Sequence, residues 1–149
     1  QTCALPIYNL PLNDVPTLLL LVGERLATVM GGSSGVLMSI FFTAAGQQLH
    51  DGQPLPEALL SGLAQMKQYG GADLGDRTLI DALQPALEAL RDSDLRTAAQ
   101  AAQQGAEATA KMAKVGAGRS SYVNKENLDG VMDPGAVAVA EVLNVLARQ

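Results

Sequence analysis

The sequence predicts an all-α domain, an up-and-down antiparallel helical bundle or barrel with about six helices, and three observations predict it. Apolar residues recur at three- and four-residue spacing in six stretches. Glycine-rich or Asp-Pro joints separate those stretches, and no alternating strand pattern runs longer than a few residues. Apolar residues make up 48% of the chain, yet aromatics are 3% and Trp is absent, so the core must be Leu, Val, Ala and Met. Such a mixture suits close-packed helices, and 149 residues suffice for one domain that buries about two-thirds of its unfolded surface.

Residues 1–7, Gln-Thr-Cys-Ala-Leu-Pro-Ile, fit no cap, turn or periodic pattern and read as a non-native scar, with the domain proper at 8–149. Asn13-Asp14-Val15-Pro16 starts the first helix, with Asp14 as cap and Pro16 in the first turn, and 18–30 continues it. The second helix is expected over 34–49, with a core stripe of Val36, Leu37, Ile40, Phe41, Ala44 and Ala45. After a polar turn, Pro56-Glu57 opens a third helix whose Leu59, Leu63 and Met66 share a face, and Gly70-Gly71 ends it.

Residues 70–78 hold too much glycine to continue a helix, and Asp76 is placed to cap the next. Leu79, Leu83, Ala86, Leu87 and Leu90 form the face of that fourth helix, which Pro85 bends without ending. Asp94 begins a fifth helix carrying Leu95, Ala98, Ala99, Ala102, Ala106 and Ala110, small side chains that let neighbours approach closely. From 115 to 132 the periodicity stops, as in a lid, a binding loop or disorder. Asp133-Pro134-Gly135 then supplies a cap, a proline for the first helical position and a residue with no side chain to block a ligand. The helix that follows is apolar on nearly every side except at Glu141, Asn144 and Arg148, which predicts a place in the middle of the bundle.

Several classes of function are disfavoured. A net charge of −5 argues against a general nucleic-acid binder, which would spread Lys and Arg over a face. With Cys3 the one cysteine and His50 the one histidine, a disulfide framework, a Cys/His zinc site and a Ser/His/Asp triad have no support, and His50 reads as a solvated loop residue. No run of 18 or more apolar residues exists and no signal peptide is evident, so a soluble, cytoplasmic chain without a membrane partner is expected.

The positive chemistry lies in the joints. In Gly31-Gly32-Ser33-Ser34-Gly35 two glycines close one helix and two serines open the next, and the amides of a helix start that carries about half a positive charge can grip phosphate. A plain helix-to-helix turn remains the alternative for that pentapeptide. Similar joints recur at Gly70, Gly116 and Asp133. In an up-and-down bundle alternate connections share an end. If these four converge, they form a rim of amides and hydroxyls around Arg119, a forked phosphate donor, with Leu79 available to pack on a base. The segment with Gly116-Ala117-Gly118-Arg119-Ser120-Ser121-Tyr122, near Lys111, Lys114 and Lys125, is the most basic part of an acidic chain, and a solvated charged loop is its plain alternative.

Taken in order and spacing, Gly-Gly-Ser-Ser-Gly with Phe41-Phe42, Gly70 through Gly-Asp-Arg-Thr-Leu, Gly-Arg-Ser-Ser-Tyr and Asp-Pro-Gly-Ala resemble the nucleotide-binding L domain of dihydroxyacetone (glycerone) kinases over about residues 8–149. The resemblance implies an eight-helix antiparallel barrel that holds ATP or ADP with magnesium at its rim, and transfer of phosphate to dihydroxyacetone on a separate K domain, the implied partner. It implies nucleotide contacts at Ser33, Ser34, Gly70, Leu79, Arg119, Asp133, Pro134 and Gly135, with Arg119 on phosphate and Leu79 near adenine. Gly-Gly-Ala-Asp-Leu-Gly-Asp-Arg-Thr-Leu is closer to the single-chain ATP-dependent kinases than to the subunit that works with a sugar-transport phosphocarrier. The family's magnesium ligands, three aspartates and a histidine upstream of the Gly-Gly-Ser joint, have no counterpart here, since Asp14 is the one aspartate before Gly31. An N-terminally truncated domain with six of eight helices, inactive alone, is the implied state. Asp73, Asp76 and Asp81 are not read as substitutes, Asp76 being a cap and Asp81 a helix-surface residue. A helical interaction domain without nucleotide is the reading from a different class.

Overall fold

The structure, a computed structural model, describes residues 10–113, 123 and 125–149. Helix starts follow the short polar side chains that can accept first-turn amides. Asp14 accepts from the Thr17 amide at 3.3 Å and begins α1, Val15–Val29, with Pro16 in its first turn. Asp94 accepts from the Thr97 amide at 2.7 Å and begins α5, Leu95–Thr109. Asp133 accepts from the Ala136 amide at 2.9 Å and begins α6, Pro134–Ala147. Between them run α2, Gly32–His50, α3, Leu55–Gly70, and α4, Ile80–Asp92, which continues through Pro85. A 3₁₀ turn at Lys125–Asn127 precedes α6. These six α-helices, with no strand among the described residues, make the fold all-α as the periodicity predicts.

The chain forms two compact units, Gln1–Tyr69 and Gly70–Gln149. In the first, glycine sets the distance between helices. A methyl group added at Gly23 would lie 2.7 Å from Thr43 Oγ1, one at Gly46 would lie 2.9 Å from Leu20 Cγ, and one at Gly35 would lie 3.1 Å from the Leu26 carbonyl. Helices α1 and α2 therefore touch nearly backbone to backbone. A methyl at Gly62 of α3 would likewise lie 2.5 Å from the Phe41 carbonyl oxygen, and Phe41, Ala45, Leu63 and Met66 are buried around that approach. Val36, expected in the core stripe of α2, is 57% exposed. It stands five residues before Phe41, off the four-residue spacing that carries Phe41 and Ala45.

In the second unit, alanine takes that role. Ala82, Ala86, Ala98, Ala102, Ala106, Ala136 and Ala140 form one buried cluster shared by α4, α5 and α6, with Leu90, Val139 and Leu143 packed against it. Gly105 brings α5 onto the backbone of α4, since a methyl there would sit 2.1 Å from the Asp81 carbonyl oxygen. The expectation that α6 is central to a bundle is corrected within this unit. Its buried residues are Ala136 and Ala140, while Val142, Val145 and Leu146 are at least half exposed. Hydropathy summed around a helix misses that a narrow stripe of small residues is what an alanine-faced neighbour accepts. The larger side chains fall outside that stripe.

Candidate functional site

At the first expected phosphate site, the reading of Ser33 and Ser34 as caps is corrected. Helix α2 begins at Gly32, so both serines stand inside its first turn, and the capping position is Gly31 with no side-chain hydrogen bond. Gly31 and Gly32 hold φ of 42° and 66°, left-handed values that glycine adopts without strain. Both serines are exposed. A 19-residue helix thus starts at exposed residues with two exposed hydroxyls and no acidic residue in its first turn. That is a stronger anion-binding arrangement than a serine-capped start, because the backbone donors remain available.

The joint before α4 is organised by different residues from those expected. Asp76 does not cap the helix, for its carboxylate accepts from the Asp73 amide at 2.8 Å, and the capping position is Leu79. Asp81, read as a surface residue, is buried. Its two oxygens accept from the amides of Gly75 at 2.6 Å and Thr78 at 2.8 Å and close the loop around Arg77. The Thr78 hydroxyl in turn accepts from the Ile80 amide at 3.2 Å. A buried carboxylate needs such donors, and in this loop they lie three and six residues before it in the chain.

Arg77 is the residue that motif reading passed over. Its side chain is 1% exposed, and it is the one non-glycine among the described residues with φ in the left-handed region, at 58°. Its Nε donates to the Thr109 carbonyl at 3.2 Å, and its Nη2 donates to the carbonyls of Leu128, at 3.3 Å, and Val131. Thr109, fully buried, accepts from the Asp133 amide at 2.8 Å through its hydroxyl, which donates to the Ala106 carbonyl. Asp133, also buried, caps α6. The signal that could have found Arg77 is a forked cation flanked by aspartates in an acidic chain, at a joint too rich in glycine to be helical.

Of the expected site residues, Leu79, Asp133, Pro134 and Gly135 come together in the second unit. A methyl at Gly135 would sit 3.1 Å from both Leu79 Cβ and Asp133 Oδ2. The missing side chain at Gly135 therefore admits Leu79, beyond leaving room for a ligand. Proline has no amide hydrogen, and the amides of Asp133 and Ala136 are spent on Thr109 and the cap. The Gly135 amide is the first-turn donor of α6 to which no acceptor among the described residues is assigned. Gly70, half-buried, ends α3, while Ser33 and Ser34 belong to the other unit. Arg119 and the assignment of residues 1–7 lie outside the described residues. Among the described residues no group of three or more His, Cys, Asp or Glu side chains could hold a metal ion, and no helix is long and apolar enough to cross a membrane.

Residues 4–148 match the family model described as the DAK2 domain. The chain is 61% identical over 142 residues to the dihydroxyacetone kinase of Citrobacter freundii, covering 94% of this chain and 26% of that protein. It is 41% identical over 129 residues to the triokinase/FMN cyclase of Rattus norvegicus, covering 78% and 22% respectively. The crystal structure of the C. freundii kinase in its native form superposes with a TM-score of 0.79 at 59% identity, over 93% of this chain and 24% of that one. The same kinase has been solved in complex with AMP-PNP and Mg2+, with a TM-score of 0.79 and 57% identity. The chain spans about a quarter of the length of these relatives. By family model, sequence identity and fold alike, the chain belongs to the DAK2 domain family.

Proposed function

We propose that this chain is the nucleotide-binding L domain of a dihydroxyacetone (glycerone) kinase, which passes the γ-phosphate of ATP to dihydroxyacetone held on a separate K domain. The observation that carries the reading is the start of α2, where two left-handed glycines and two exposed serines leave first-turn amides open to an anion. Ser33 and Ser34 then take phosphate oxygens, Arg119 neutralises phosphate charge, Gly70 and Leu79 border the adenine, and residues 133–135 contribute the Gly135 amide on a rigid mount. The C. freundii relative, solved with AMP-PNP and Mg2+, supports a nucleotide as the ligand class.

In the transfer, the acceptor hydroxyl gives up its proton and its oxygen bonds to the γ-phosphorus as the bond to the β-bridging oxygen breaks, and ADP leaves with that electron pair. The work of this chain in such a step is to bind and orient the nucleotide and to offset phosphate charge. Magnesium, where bound, supplies charge neutralisation between the phosphates. The described side chains do not form a site for it. In this reading the metal ligands and the acceptor come from other parts of the parent kinase, and the domain acts as a cytoplasmic component.

Titrating ATP with magnesium into the product of the complete reading frame tests the proposal. Saturable binding that weakens about ten- to a hundredfold in Arg119→Ala, the loss of one charge-assisted contact, is the expected result. Absence of binding, or binding indifferent to Arg119→Ala, would instead favour an interaction domain whose glycine-rich turns are structural.

A further inference from the structure

Among the described residues, the buried polar or charged side chains are Arg77, Asp81, Thr109 and Asp133. All four lie in the second unit and act on one another's surroundings. Asp81 closes the loop on either side of Arg77, Arg77 holds the Thr109 carbonyl, and the Thr109 hydroxyl holds the Asp133 amide. The guanidinium also draws in the carbonyls of Leu128 and Val131, on the approach to α6. Further bonds, from Gly130 to the Ala110 carbonyl and from Val131 to the Leu128 carbonyl, fold that approach onto the end of α5.

Burying a guanidinium against neutral carbonyls is costly, and holding a non-glycine residue at φ 58° adds strain. Nη1 has no hydrogen-bond partner among the described residues, so the fork is not fully compensated. If stability alone were at stake, an apolar side chain could fill the space without these penalties. What it could not do is tie its own loop, the end of α5 and the 128–131 turn together through one rigid, planar group. Those segments lead directly to Leu79 and to residues 133–135, which meet at the Gly135 contact.

We propose that Arg77 is a positioning residue for the nucleotide contacts at Leu79 and residues 133–135, setting the approach to α6 against the loop before α4. This rests on the nucleotide-binding reading given above. Arg77 touches no nucleotide in this account; it fixes where the Gly135 amide and the Leu79 side chain stand. Loss of the fork lets the 128–133 backbone drift, and the ligand meets a misplaced donor.

The test uses the product of the complete reading frame in four forms: wild type, Arg77→Lys, Arg77→Met and Leu87→Ala, the last a core change at the far end of α4 from the Arg77 loop. Lysine keeps the charge but lacks the planar fork, and it carries the test should the methionine variant not fold. Two quantities are measured on folded protein, the Kd for magnesium-ADP and the hydrogen-exchange rates of individual amides. The expected result is a Kd raised tenfold or more in Arg77→Lys and within twofold of wild type in Leu87→Ala. Exchange at Gly130 and Asp133 accelerates tenfold or more in Arg77→Lys, with Ala102 and Ala140 unchanged. Nucleotide binding within twofold of wild type in Arg77→Lys, or exchange that accelerates evenly across α4, α5 and α6, overturns the proposal. Wild type that binds no ADP defeats the functional reading instead, and the exchange pattern then decides the positioning role alone.

Discussion

Helices α2 and α6 both begin at joints where ordinary side chains are scarce, yet α2 leaves its first amides to solvent while α6 spends nearly all of its own on the protein. The capping position of α2 is a glycine, with no side chain to accept, and the two residues that follow Gly32 are exposed serines. The capping position of α6 is a buried aspartate whose amide is held by Thr109, which is held in turn by Arg77. Donors without partners can meet a ligand, whereas donors already bonded can only hold a frame still. The comparison assigns chemistry to the first start and mainly geometry to the second, where the Gly135 amide is the one donor left open among the described residues. It also explains why a proline and a glycine follow Asp133: one has no amide to leave unsatisfied, and the other admits Leu79.

The largest effect is expected behind the frame. Gly105→Val drives a side chain into the Asp81 carbonyl, and unfolding in urea should show a loss of about 3 kcal/mol or more if the backbones cannot separate. A loss under about 1 kcal/mol would mean that the α4 contact is looser than the frame requires. Thr109→Val keeps shape but leaves the Asp133 amide unpaired, with an expected cost of about 1–3 kcal/mol by the same measurement. Asp133→Ala removes the cap of α6 for about 1–2 kcal/mol, while Asp133→Asn, which still accepts the Ala136 amide, should recover most of that.

At the open start the ranking inverts. Ser34→Ala should alter stability by less than about 0.5 kcal/mol, since the side chain is exposed and caps nothing, yet weaken nucleotide binding about tenfold or more in a calorimetric titration. Equal effects on both would erase the distinction between the two starts. The smallest effect concerns the exposed caps of α1 and α5. The Thr17 hydroxyl and then its amide hold the Asp14 carboxyl below its ordinary value, and the Thr97 hydroxyl and then its amide do the same for Asp94. A depressed folded-state pKa contributes stability that is present above the unfolded value and is lost as pH falls through the folded one. Acidification below about pH 4 should therefore weaken both caps. The double variant Asp14→Asn and Asp94→Asn should show a shallower fall of the urea midpoint between pH 6 and pH 3 than wild type.

These contrasts also mark what could be read from sequence. The caps at Asp14, Asp94 and Asp133 were legible because each acts on an amide three residues away, so the local pattern contains both partners. The joint before α4 was not, because Arg77 bonds to carbonyls 32, 51 and 54 residues further along, and no window along the chain holds such a pair. Asp81 looked like a surface position since helical periodicity says nothing of a loop folding back over it. Sequence alone places the start of α2 at Ser34, whereas glycine at positive φ lets the helix begin two residues sooner. Leu79, Asp133, Pro134 and Gly135 were grouped through the family resemblance, and their meeting rests on a close approach that the motif's glycine permits. For α6, total hydropathy pointed to a central helix, whereas the spacing of Ala136 and Ala140 held the correct stripe.

The most direct test of the account follows backbone amide resonances of Gly32, Ser33, Ser34 and Gly135 while magnesium-ATP is titrated into the product of the complete reading frame. The account predicts that the two helix starts respond over one concentration range and report one Kd, with the amide of Ala136 nearly unmoved because Asp133 already holds it. Resonances at α2 that stay in place through saturating nucleotide would contradict it.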